Sequence, residues 1–157
     1  MEISVALVGD RRMSELHERF MGIAGPTDVL TFELEHDGRG RVVAGEVVVC
    51  VPHAVRAARR SGVAVRKEVL LYALHGMLHL CGFDDRTDRD FVRMHQREDD
   101  ILKKLGVGVV FARGGGKTTA YSGEHKHTHT RSSTIGEGDA LRGRDPPQDW
   151  ATGGTRA

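Results

Sequence analysis

Hydrophobic and polar positions sort this chain into short strands and longer helices. Ile3, Val5 and Leu7 recur at every second residue of EISVALV and predict a strand. Leu16 and Phe20 share one face of residues 14–21, a short helix with Ser14 as its N-cap. After a turn at Gly25-Pro26, Val29 to Leu34 reads as a second strand. DGRGR, 37–41, is a hairpin loop, and the β-branched run 42–51 is a third strand with Gly45 as its bulge. Pro52 opens a helix that Gly62 closes. A further helix runs from about Val65 to Leu80. The last spans about 87–105, with Phe91, Met94, Ile101, Leu102 and Leu105 at helical spacing. The order β-α-β-β-α-α-α argues for an α+β domain, a small mixed β-sheet packed with helices.

Composition changes this picture at one place. Residues 112–157 hold nine of the 20 glycines, one isoleucine and one leucine, too little apolar surface to offset chain entropy. A folded domain over 1–111 and a disordered Gly-rich tail over 112–157 follow. The tail's HKHTH places His125, His127 and His129 in alternation, a pattern that can take up stray metal, though a solvated polar tail is the plainer reading. The net charge of +1 provides no global field toward nucleic acid or membrane. Cys50 and Cys81 make no disulfide framework and agree with a reducing, cytoplasmic compartment. No signal peptide is visible at the start, and the apolar stretch around 69–83 is too short to span a bilayer.

The chemistry is concentrated in LLYALHGMLHLCGFDDRTD, residues 70–88. His75 and His79 stand four apart, so a helix aims both imidazoles at one spot. Gly82 permits a left-handed turn that brings Asp84 or Asp85 back to the same spot. Two histidines and a carboxylate form a three-ligand metal site with an open position on the central helix, the arrangement of sites that do chemistry. The plainer alternative is two core histidines beside a solvated turn. Zinc peptidases use H-E-x-x-H, but here Gly76 follows His75 and that base is absent. His17, His36, His53 and His95 read as surface residues, and Cys81 as a small buried apolar group.

HGMLHLCGFDD resembles the H-G-x-L-H-L-x-G-[YF]-D-H signature of the YbeY family, metal-dependent single-strand endoribonucleases of ribosomal RNA maturation. GPTDVLTF, GEVVVC, and the run through Met94, Glu98 and ILKKLG resemble other family segments in order, over roughly residues 3–107. The resemblance implies His75, His79 and Asp85 as ligands of one zinc ion, with manganese or another divalent ion as the alternative. Asp84 and Glu46 would support the site from outside the ligand set. It implies single-stranded ribosomal RNA as substrate, at the 3′ end of 16S, and the small ribosomal subunit and its proteins as partners in ribosome biogenesis and quality control.

Three features depart from the family pattern. Asp85 stands where the signature has its third histidine, and Met21 stands where the family usually carries an arginine. A strand and helix that usually precede EISVALV are not present. Arg56, Arg59 and Arg60 are the candidate phosphate contacts, although a solvated basic face explains any one of them equally well. The loss at Met21 keeps open a ribosome-assembly or RNA-binding factor with weak or no nuclease activity. A zinc peptidase-like hydrolase is the remaining alternative.

Overall fold

A computed structural model describes residues 1–108 and 129–130. Its elements are β1 (Glu2–Val8), α1 (Asp10–Met21), β2 (Val29–His36), β3 (Val42–Cys50), α2 (Val51–Ser61), α3 (Val65–Leu80), α4 (Asp88–Lys104) and the two-residue β4 (His129–Thr130). The mixed sheet has the order β1-β3-β2-β4, with β3 parallel to β1 and antiparallel to β2. His129 and Thr130 lie parallel beside Thr31 and Phe32. The rest of the Gly-rich segment 112–157, including His125 and His127, lies outside the described residues.

Strand parity divides the core into layers. Val29, Val47 and Val49 face α2 and α3, meeting Ala54, Tyr72, Ala73 and Leu80. Leu30, Val48 and Cys50 face the other way, onto Met13 and Leu16 of α1. On its far side α3 packs against α4 through Leu71, Leu74 and Leu78 with Met94 and Leu102. The third helix is therefore wrapped by sheet on one side and helix on the other, which explains why its sequence is apolar nearly all round.

Two glycines set how near α3 lies to the sheet. A Cβ on Gly76 would stand 2.6 Å from Val47 Cγ1 and 3.1 Å from Thr31 Cγ2. A Cβ on Gly45 would stand 2.7 Å from Leu80 Cδ1. Gly45 is thus a point of close approach and not the bulged residue. The irregularity lies beside it: Glu33 pairs with Gly45, Glu35 with Ala44 and His36 with Val42, leaving Leu34 on β2 and Val43 on β3 unopposed.

Other sequence expectations also change. Helix α1 starts at Asp10, four residues before Ser14, because Gly9 supplies the extended residue ahead of the first turn. Ser14 is inside the helix and its hydroxyl donates to the Asp10 carbonyl at 2.8 Å. Of the β1 alternation only Ile3 is covered by core; Val5 and Leu7 are exposed on the sheet's edge strand. Leu105 is 63% exposed, just past the end of α4. Cys81 is exposed, whereas His17 and His95 are buried. His17 has a local reason for burial: its Nδ1 donates to the Gly25 carbonyl at 2.8 Å.

Candidate metal centre

Helix α3 presents His75 and His79 side by side, 3% and 4% exposed, with their rings edge to face at 4.5 Å. Gly82, at φ 85°, turns the chain back, and the Asp85 carboxylate arrives beside both rings. Asp85 Oδ2 is 3.6 Å from His75 Nε2, and Oδ1 is 3.9 Å from His79 Nε2.

The hydrogen bonds determine which ring nitrogens point inward as lone pairs. His75 Nδ1 lies 2.6 Å from Glu98 Oε1, and His79 Nδ1 lies 3.0 Å from the Phe83 carbonyl. A carboxylate and a carbonyl only accept, so both Nδ1 atoms carry the proton. In neutral rings both Nε2 atoms are then lone-pair donors, and they face each other at 2.9 Å. Such an arrangement calls for a cation between them. Ligands about 2.0–2.2 Å from one ion sit roughly 2.9–3.6 Å apart at angles between 90° and 110°. The His75–His79 and His75–Asp85 separations fall in that range, and the His79–Asp85 separation is slightly wider. The donor set of two imidazoles and one carboxylate fits a divalent ion with room for a further ligand.

A second group, His75, His95 and Glu98, also clusters. Its short separations, 2.6 Å and 2.5 Å from ring Nδ1 atoms to the two Glu98 oxygens, are charge-assisted hydrogen bonds. Burial pushes the Glu98 carboxyl up, but the hydrogen bonds from His75 and His95 outweigh it and hold the group below its ordinary value.

The remaining sequence-derived residues fall elsewhere. Asp84 turns away from the imidazoles to pair with Arg86, 2.6 Å from its Nε, and accepts the Asp85 backbone N–H at 2.8 Å. That arginine, with the backbone donors, holds its carboxyl down at about 2. Asp84 supports the site through the turn and not through a ligand. Glu46 does not reach the metal centre. Strand parity sends it to the sheet face opposite α3, where it is buried and accepts from the Ser4 hydroxyl at 3.2 Å. Burial raises its pKa, and the Ser4 hydrogen bond offsets this in part.

Arg56 forms a two-pronged ion pair with Asp10, at 2.8 and 2.9 Å, tying α2 to α1. This engagement sets it apart from Arg59 and Arg60, which are exposed at the end of α2. Met21 ends α1 and packs on the cluster around Leu30 and Val48, again across the sheet from the histidines. The sequence pattern alone assigns no role to Glu98, and His95, expected at the surface, is buried. A signal was present: Met94, Glu98 and Leu102 are spaced by four, so an inward-facing stripe contains the glutamate.

Fold and site together define a small α+β protein in which two histidines and one carboxylate form a group that could hold a metal ion. The sequence matches the family model of endoribonuclease YbeY over residues 1–106. It is 36% identical over 133 residues to endoribonuclease YbeY of Anaeromyxobacter sp. (strain Fw109-5), covering 85% of this chain and 69% of the relative. It is 36% identical over 115 residues to the protein of that name from Moorella thermoacetica, covering 68% and 74%. For the one from Thermobifida fusca the identity is 38% over 108 residues, covering 64% and 70%. The chain belongs to the YbeY family of endoribonucleases. Among the described residues no helix is long and apolar enough to cross a membrane.

Proposed function

We propose that this chain is a metal-dependent endoribonuclease for single-stranded RNA, with ribosomal RNA on the small subunit as its substrate in the cytoplasm. The observation that carries the metal dependence is the convergence of His75 Nε2, His79 Nε2 and the Asp85 carboxylate on one point. A divalent ion there supplies Lewis acidity toward a phosphoryl oxygen and lowers the pKa of a water. The protein's own part is to fix the two imidazoles as Nε2 donors through Glu98 and Phe83, and to supply one negative charge through Asp85. That carboxylate is a harder donor than a third imidazole, so manganese joins zinc as a fitting ion. Arg59 and Arg60 are the exposed α2 cations for RNA phosphates.

Incubation of labelled single-stranded RNA and matched duplex, with and without chelator, tests this reading. Cleavage of the single strand alone, abolished by chelator and restored by zinc or manganese, is the expected result. Equal cleavage in chelator removes the metal from the mechanism. A second reading, an RNA-binding assembly factor with little nuclease activity, is favoured by Met21 at the family's arginine position and by the engagement of Arg56 with Asp10. Tight RNA binding without cleavage in any metal would establish it.

A further inference from the structure

Glu98 is the most deeply buried carboxylate among the described residues, 1% exposed, and it comes from α4 while both metal-facing histidines come from α3. Burying an ionised carboxylate is strongly unfavourable unless its oxygens are hydrogen-bonded. Here each oxygen takes one imidazole: Oε1 accepts from His75 at 2.6 Å and Oε2 from His95 at 2.5 Å. His95 is itself 1% exposed, lies nearly parallel to the His75 ring at 6.0 Å, and is braced by Phe91 at 4.2 Å. We propose that Glu98 is a positioning residue for the metal centre, fixing the tautomer and ring angle of His75, and that His95 clamps Glu98 from behind. The proposal rests on the metal reading of His75, His79 and Asp85.

The chemistry separates this role from that of an ordinary core ion pair. His79 obtains the same Nδ1–H tautomer from a backbone carbonyl, so a neutral acceptor suffices for orientation alone. A carboxylate adds charge, which makes the far nitrogen of His75 a stronger donor to a cation. Two oxygens that both accept also leave no choice of tautomer. An amide in this place would accept from one histidine and donate to the other, so one of the two rings would have to reverse. His95 makes the carboxylate stay: it satisfies the second oxygen and stops Glu98 from rotating toward the ion and becoming a ligand.

The test uses the full chain and its E98Q and E98L variants. Zinc affinity is measured by competition with a chromogenic chelator, the fold by the thermal midpoint of the metal-free protein, and the His75 tautomer by imidazole nitrogen chemical shifts. The expected result is a loss of about tenfold to a hundredfold in zinc affinity for E98Q, with a mixed or reversed His75 tautomer and a midpoint near that of the parent. E98L, which accepts nothing, should lose at least as much; if it does not fold, E98Q alone decides. An E98Q protein that binds zinc within threefold of the parent and keeps His75 as the Nδ1–H tautomer overturns the proposal. If the parent itself takes no zinc, the metal reading falls. The nitrogen shifts then decide whether Glu98 positions His75, and an E98Q protein in which His75 and His95 both stay Nδ1–H tautomers refutes that too.

Discussion

His79 Nδ1 donates to the carbonyl of Phe83, four residues on, so the turn that ends α3 fixes the last histidine of that helix. Gly82 makes the turn possible at φ 85°. An alanine there carries a left-handed penalty of about 1–2 kcal/mol. Gly82→Ala should lower the thermal midpoint by several degrees and weaken zinc binding together, because the Phe83 carbonyl moves with the backbone. Calorimetry and chelator competition on one preparation check the pairing; a lower midpoint with undiminished zinc affinity would uncouple turn and site.

The two neighbouring aspartates should behave differently. Asp85→Asn removes the ligand charge and is expected to weaken zinc binding by about tenfold or more, the size of loss seen when support of a metal site is removed. Asp84→Asn leaves the ligand in place, and Asp85→His restores a three-imidazole set. Zinc retained by D85N and lost by D84N would reverse the assignment.

Gly76→Ala sets two effects against each other. Alanine is the better helix former by about 1 kcal/mol. The new methyl meets Val47, stiff at χ1 and fully buried, at 2.6 Å. Overpacking of this kind costs about 1–3 kcal/mol, so packing wins and the midpoint should fall. A rise would mean that α3 can lift off the sheet at little cost.

Glu46→Gln should stabilise the protein at neutral pH without changing its zinc content. Burial raises the folded-state pKa of Glu46 above its ordinary 4.5. The folded state then holds its proton more tightly than the unfolded chain, and stability declines as pH rises through the interval between the two values. Glutamine has no charge to bury and can still accept from Ser4. Its advantage should be full at pH 7.5 and shrink as pH falls through that interval toward the ordinary value. Urea melts at several pH values check the trend; an advantage that persists unchanged in acid would point to packing.

Thiol labelling reports the two cysteines separately. Cys81 is exposed, while Cys50 is buried and has its pKa pushed up to about 11, chiefly by burial. At pH 8 one thiol should react promptly and the second only on unfolding. Two fast thiols would show that the layer between α1 and the sheet opens readily.

The order of strands and helices through residue 105 was legible because each element carries its own period, and His75, His79 and Asp85 were legible as a group because they lie within one turn-bounded stretch. What stayed hidden depends on which face of an element is covered. Glu46 has an ordinary strand position, and only the placement of α3 against Val47 shows that the glutamate faces away. Val5 and Leu7 alternate as a core strand would, but β1 is at the edge, and the cover extends only over Ile3. Arg56 looks like any basic residue on a helix until the fold brings Asp10, forty-six positions earlier, within 2.8 Å. His95 has no neighbour in sequence that announces a carboxylate shared with His75.

All three candidate ligand positions fall between residues 75 and 85, on one helical turn and the bend after it. Length changes elsewhere therefore have unequal consequences. Residues added to the 37–41 hairpin would leave every ligand spacing intact. One residue inserted between His75 and His79 would swing the second imidazole by about 100° around α3, away from the first. This chain can thus gain residues in that loop without disturbing the candidate site, while the angular register of these few residues admits no insertion.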